Sequence, residues 1–258
     1  MRIALIQLET SPSIKAKDRY QHLLELMPVK NSCELVILPE LWLLGAFEFS
    51  KFTPSALNGI EKINNEISEI AGKRNYWVHT GSNLIRTRTK IYNESIVFDS
   101  DGNVAGKYRK QYIFGFSSGE SKIVSPGNKI KIIKSPWGKI ALSICYDLRF
   151  PELYRKMLNK GAEIYLITAG WPELRIDHWQ KLIKARAVEN QAFFIGCNGV
   201  GKQTDAILGG HSIIVDPNGG VVKELDSSEE VVIVEINEKQ IVETRTKFPV
   251  LNDIKKYG

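Results

Sequence analysis

Short β-branched runs alternate with amphipathic stretches along most of the chain, a rhythm that predicts strands joined by crossover helices rather than segregated modules. Arg2 to Leu8 reads as a first strand and Lys15 to Met27 as a helix. Leu35 to Leu38 reads as a buried strand stopped by Pro39. Ile60, Ile63, Ile67 and Ile70 recur at spacings of three and four, so they form one apolar helix face, with Gly72 as its expected end. Val78 belongs to the next strand-like run. Ile91 to Phe98 and Val104 to Tyr108 flank Asp99-Ser-Asp-Gly-Asn103, which predicts a hairpin, and Ile130 to Ile133 and Ile140 to Ile144 flank Ser135-Pro-Trp-Gly138 in the same way.

The second half continues the alternation. Helices are expected from about Glu152 to Asn159 and from Asp177 to Asn190, each followed by a strand, at Glu163 to Thr168 and Ala192 to Cys197. Strands then dominate, at His211 to Val215, Val221 to Leu225 and Val231 to Ile236, before a short helical stretch and a tail. Crossover helices mixed with hairpins imply an α/β fold with mixed sheets and helices outside. Gly196-Cys-Asn-Gly-Val-Gly201 lacks the full phosphate-binding fingerprints and reads as a turn. No linker or repeat interrupts the pattern, so one domain over residues 1–258 is expected.

Composition narrows the function classes. With 258 residues, 43% hydrophobic and 25% charged, the chain can bury a large core. No apolar stretch approaches membrane-spanning length and the first residues lack a signal-peptide layout, so no membrane partner and a cytoplasmic location are expected. The net charge of +6 is dispersed, without a basic stripe interleaved with aromatics, so nucleic-acid binding is not expected. Three separated cysteines form neither a disulfide framework nor a C-x-x-C pair, and four scattered histidines offer no H-E-x-x-H, so neither metal nor cofactor is expected.

Candidate chemistry centres on Cys145, which ends the apolar run Ile140 to Ile144 and precedes Tyr146-Asp-Leu-Arg-Phe-Pro-Glu152, a segment that reads as a helix start. A thiol near a helix N-terminus can be stabilised as thiolate, the reactive form. The same residue also fits a small core side chain closing a strand. Cys33 and Cys197 read as structural. Glu40, at the end of the Leu35 strand, stands at the sheet edge where open α/β folds build sites; it fits a general base, and equally a solvated or lysine-paired carboxylate. Lys110 closes Gly106-Lys-Tyr-Arg-Lys110 before an aromatic run; it fits an oxyanion partner or an ordinary solvated cation. Glu120 follows Ser117-Ser-Gly with less local character still. His178 and His211 remain open as activators of Cys145 in the manner of cysteine proteases.

In order, Pro39-Glu40, Tyr108-Arg-Lys110, Glu120 and Cys145-Tyr-Asp-Leu-Arg-Phe-Pro-Glu152 resemble the signature of the nitrilase superfamily of carbon–nitrogen hydrolases. Gly170-Trp-Pro172, Asp177-His-Trp179 and Ala185-Arg-Ala-Val-Glu-Asn190 extend the likeness over nearly the whole chain. One departure is Gln111-Tyr-Ile-Phe114, where the lysine motif commonly continues with a histidine and then Leu-Phe.

The resemblance implies a four-layer αββα sandwich, a homodimer or higher homo-oligomer, and a Glu40–Lys110–Cys145 triad with Glu120 as a second glutamate. It implies a thiol amidohydrolase that releases ammonia from a small amide through a cysteine thioester, and the motifs are most similar to the omega-amidase branch, whose amides carry a carboxylate. Nitrile or carbamoyl-amide hydrolysis, a catalytically silent scaffold and a redox-sensor thiol are the alternatives. Tyr146 and Trp171 follow strand ends and are expected in the pocket wall; Arg149 or Arg175 is expected to meet a substrate carboxylate or to serve structure alone. Arg186 shares a helical face with Trp179, Leu182 and Ile183, and Glu189 is three residues on, which points to a buried ion pair.

Overall fold

Every second residue of the first strand faces a different neighbour, and that alternation organises the molecule. The computed structural model of the chain describes residues 1–53, 57–116 and 119–257; Ser117 and Ser118, the approach to Glu120, lie outside them. In β1 (Arg2–Gln7), Ile3 and Leu5 join one hydrophobic core while Ala4 and Ile6 join another. A strand's side chains point alternately to its two faces, so β1 is sandwiched on both sides.

One of these cores holds helices against a sheet. Tyr20 and Leu23 of α1 (Ala16–Leu26) and Ile60, Ile67 and Ala71 of α2 (Ile60–Arg74) pack on Ala4, Ile6 and Val36. The first sheet runs β15 (Glu230–Glu235), β1, β2 (Leu35–Ile37), β3 (Trp77–His79), β5 (Ile91–Phe98) and β4 (Asn83–Arg86), with β6 (Val104–Arg109) also paired to β5. Its centre is parallel, β1 to β2 to β3, and its margins antiparallel.

The second sheet repeats this plan: β14 (Val221–Glu224), β13 (Ile213–Val215), β10 (Phe193–Asn198), β9 (Ile164–Ala169), β8 (Gly138–Ile144) and β7 (Ile132–Ser135), with β8, β9 and β10 parallel. The other core fills the space between the two sheets and continues beneath α3 (Pro151–Asn159) and α4 (Ile176–Asn190), through Leu153, Met157, Trp179 and Ile183. The layers are therefore helix, sheet, sheet, helix, as the resemblance implies. Each fully buried Ile or Leu here contributes about 1.5–3 kcal/mol relative to exposure. A two-stranded ribbon of β11 (Val200–Lys202) and β12 (Ile207–Gly209) stands beside the sandwich, and α5 (Lys239–Lys247) and α6 (Leu251–Tyr257) end it.

Several expectations need correction. Helix α2 does not stop at Gly72 but runs to Arg74 and closes on Asn75 in a left-handed conformation, φ 56°. Gly72 marks a close approach instead: a Cβ there would stand 3.3 Å from the carbonyl oxygen of Asp101. The stretch Gly196 to Gly201 is not a turn; it spans the end of β10 and the start of β11. Gly196 is small because a Cβ would come within 2.6 Å of the Trp179 ring, so the glycine seats α4 on the sheet. The strand expected from His211 begins at Ile213, and the tail contains a helix, α6.

Candidate active site

The catalytic candidates meet where parallel strands of both sheets end. Beyond β2 the chain continues Leu38-Pro39-Glu40, and Glu40 is almost fully buried. The two sheets are joined at this point: Thr168 Oγ1 donates to the Leu38 carbonyl at 2.7 Å, and the Glu40 and Gly170 N–H groups donate to the Ala169 carbonyl and Glu40 Oε2 at 3.3 and 2.9 Å. Leu41 follows with φ 47°, and Cys145, just beyond β8, has φ 44°. Positive φ is uncommon for residues with a Cβ and costs of the order of 1–3 kcal/mol, a strain retained where the surroundings over-determine it. Both strand-end candidates, then, sit at or beside a backbone conformation that stability alone would not select.

Lys110 follows β6, and its backbone N–H donates to the Asn93 carbonyl at 2.9 Å. Its ammonium donates to Glu40 Oε1 and to Glu120 Oε2, each at 2.8 Å, with all three side chains no more than 4% exposed. Asn93 Nδ2 bridges the same carboxylates, at 2.9 Å to Glu40 and 3.0 Å to Glu120, and the Phe114 N–H donates to Glu120 at 3.2 Å. Two carboxylates around one ammonium, all out of water, make a poor stability device, because the cost of desolvating ions often exceeds their mutual attraction.

The pKa is raised on both partners of the cleft, which favours the charged form of Lys110 and the neutral form of Cys145. Burial alone would lower the Lys110 pKa, but Glu120, Glu40 and Cys145 together hold it well above its usual value, so the ammonium stays charged. The Cys145 thiol is likewise pushed well above its usual range, first by burial and next by the Glu40 carboxylate, with Lys110 pulling the other way. This corrects the expectation of a thiolate favoured by a helix start. A 3-10 turn over Cys145–Arg149 separates the thiol from α3, and the local carboxylate outweighs the dipole, whose influence falls off within a turn. Cys145 and Glu40 line the same cleft, and the neighbouring carboxylate favours the protonated form of the thiol.

The groups open onto a narrow cleft, lined by Glu40, Lys110, Glu120 and Cys145 and walled by Phe47, Phe49, Phe114, Tyr146, Arg149, Trp171 and Arg175. Tyr146, Trp171 and Arg149 all line this cleft, and Phe114 fills the wall at the departure from the family pattern, edge-on to Tyr146 at 5.4 Å. The Arg149 guanidinium lies over the Trp171 ring at 4.8 Å. Trp171 is held by Asn198, which accepts its N–H at 2.6 Å and returns an amide hydrogen bond at 3.2 Å. His178 contacts Arg149 and His211 contacts Glu224; neither lines the cleft, which removes them as activators of Cys145. Arg186 pairs with Glu189 at 3.1 Å and donates to the Leu148 carbonyl at 3.1 Å, a structural brace behind the Cys145 turn. Among the described residues no cluster of three or more His, Cys, Asp and Glu side chains is placed to hold a metal ion, and no helix is long and apolar enough to cross a membrane.

Sequence reasoning misses Asn93 and Asp147. Asn93 alternates with its strand neighbours like any solvent-facing polar residue, and Asp147 stands in the motif beside the thiol without a signal of its own. Only the tertiary pairing reveals that each is buried.

A thiol, a carboxylate able to take its proton, a fixed ammonium and a sandwich of this topology define a class of thiol-dependent hydrolases. The model of the family described as carbon-nitrogen hydrolase matches residues 2–246, and the chain belongs to that family. It is similar to a 2-oxoglutaramate amidase of Paenarthrobacter nicotinovorans, 36% identical over 97% of this chain and 88% of that protein. It is also similar to omega-amidase NIT3 of Saccharomyces cerevisiae, 32% identical over 97% of this chain and 91% of that one. The crystal structure of Saccharomyces cerevisiae Nit3, a member of branch 10 of the nitrilase superfamily, superimposes with a TM-score of 0.83 at 29% identity, covering 96% of this chain and 94% of that one.

Proposed function

We propose that Cys145 is the nucleophile, Glu40 the general base and acid, Lys110 the oxyanion cation and Glu120 the group that fixes Lys110, in hydrolysis of a small carboxylate-bearing amide. The observation that carries this is the Lys110 ammonium held 2.8 Å from both carboxylates at the cleft that Cys145 lines. Because burial and the Glu40 carboxylate favour the protonated thiol, attack and deprotonation are coupled: the sulfur bonds to the amide carbon as its proton passes to Glu40. The carbonyl oxygen becomes an oxyanion, accepting from Lys110 Nζ and the N–H of Tyr146, which lies in the first turn of its 3-10 segment where backbone donors lack intrahelical acceptors. The C–N bond then breaks as Glu40 returns the proton to the departing nitrogen, leaving ammonia and a thioester. Water attacks the thioester, gives its proton to Glu40, and the acid is released as the proton returns to sulfur.

Arg149, with Arg175 lining the same cleft, supplies the positive charge for a substrate carboxylate, in keeping with relatives named 2-oxoglutaramate amidase and omega-amidase. A cytoplasmic homodimer is the setting we assign to this activity. Ammonia release from the ω-monoamide of a five-carbon 2-oxo dicarboxylic acid is expected to exceed that from a neutral aliphatic amide of equal length, and Cys145→Ala to abolish both. Turnover of nitriles alone, or full activity of Cys145→Ala, would overturn the proposal.

A further inference from the structure

One carboxylate outside the triad touches both of its moving parts. Asp147 is fully buried, two residues beyond the thiol. Its Oδ2 accepts from the Ile144 N–H at 2.9 Å, the peptide next before Cys145, and from the Tyr108 hydroxyl at 2.7 Å. Its Oδ1 accepts from the N–H groups of Gln111 and Tyr112 at 3.3 and 2.9 Å, the two peptides next after Lys110. β6 belongs to the first sheet and β8 to the second, so the segments carrying cation and nucleophile come from different sheets at this point. Each segment would otherwise end in uncommitted backbone donors.

We infer that Asp147 is a positioning residue: a buried strut that sets the separation of the Cys145 sulfur from the Lys110 ammonium by taking backbone hydrogen bonds from both segments. The strut also braces the strained Cys145 backbone, since the side chain of Asp147 closes the turn back onto Ile144. Burial pushes its carboxyl up to about 6, with the Tyr112 and Ile144 N–H groups and the Tyr108 hydroxyl acting against that rise. Acceptors, rather than charge alone, are what the site needs. An amide at this position offers one oxygen only, so Asp147→Asn leaves one of the two segments without its acceptor whichever way it turns.

This inference rests on the proposed roles of Cys145 and Lys110, and the experiment separates the two. Ammonia release is measured for wild type, Cys145→Ala, Asp147→Asn and Tyr108→Phe, with kcat expressed per thiol titrated at the active site and folding followed by circular dichroism. Asp147→Asn is expected to lose roughly 10²-fold in kcat at a KM within about 3-fold of wild type, the scale of a displaced catalytic group. Tyr108→Phe removes one donor and leaves both segments tied, so it is expected to lose only about 5-fold in kcat. A purely structural aspartate would instead lower the folded fraction while kcat per titrated thiol stayed at the wild-type value, and that result overturns the strut. If Asp147→Asn does not fold, Tyr108→Phe decides, and an unchanged kcat per thiol overturns it. Activity retained by Cys145→Ala would instead sink the nucleophile assignment.

Discussion

Cys145 and Cys197 end similar apolar runs, lie at the ends of parallel strands β8 and β10 of the same sheet, and both have thiols raised by burial, Cys197 to about 12. Their surroundings differ in kind. Cys197 stays in extended strand, fully buried, with its sulfur 3.4 Å from the carbonyls of Ile6 and Ile37 on the facing sheet. Those acceptors hold a thiol but cannot take its proton. Cys145 turns out of the strand at φ 44° into a cleft shared with Glu40, proposed to take its proton, and Lys110, proposed to hold the oxyanion. The comparison teaches that a depressed pKa is not what distinguishes a nucleophile here. A buried thiol is reactive when a base and a fixed cation share its pocket, and inert when only carbonyls do.

The largest effect that sharpens this contrast is expected from Glu40→Gln. Removing the carboxylate should cost about 10²–10⁴ in kcat, since the base is gone. It should also lower the Cys145 pKa, because Glu40 raises it. More thiolate at a given pH means that iodoacetamide should label Cys145 faster than in wild type while hydrolysis collapses. Labelling that slows with hydrolysis would show that Glu40 does not govern this thiol's proton.

A smaller and opposite signature is expected from Lys110→Ala. Loss of one oxyanion donor should cost roughly 10²–10³ in kcat. Labelling of Cys145 should slow, because Lys110 favours the thiolate. Stability should drop by about 3–5 kcal/mol in urea unfolding, since Glu40 and Glu120 are left buried without their cation. Unaltered labelling would remove Lys110 from the Cys145 pocket.

Cys197→Ala should do least: kcat within about 2-fold and a stability loss of about 1–2 kcal/mol from lost packing. In wild type, iodoacetamide should modify Cys197 only after unfolding, as peptide mapping would show. Rapid modification of native Cys197 would break the comparison.

Much of this was legible in the sequence, and the gaps have physical causes. The strand and helix rhythm gave nearly every element because both sheets are buried on both faces and so carry dense β-branched runs. Strands β4, β11 and β12 do not stand out in the sequence, because polar residues or glycine interrupt them, whereas the equally short β2 and β13 are continuous apolar runs. At the site, Glu40, Lys110 and Cys145 each carry only an ambiguous local signal, and their ordered contexts, rather than any one of them, mark them as candidates that the fold then brings to one cleft. The thiol's electrostatics were misread because a helix start is visible in sequence, whereas the carboxylate that outweighs it arrives from the other sheet. Asn93 and Asp147 were missed because burial of a polar side chain is a property of tertiary packing.

The bonds from Thr168 to Leu38 and from Gly170 to Glu40 each join residues 130 positions apart. In kinetic language, that makes competence for hydrolysis one of the last properties the chain acquires. Most strands of either sheet can pair while the base still lacks its place against the thiol; among the described strand pairings of the two sheets only β1–β15, Arg2 to Glu235, is more remote in sequence, and contacts this remote are slow to close. Regain of activity during refolding therefore times the docking of one sheet on the other, and should lag behind the far-ultraviolet signal that reports the sheets themselves.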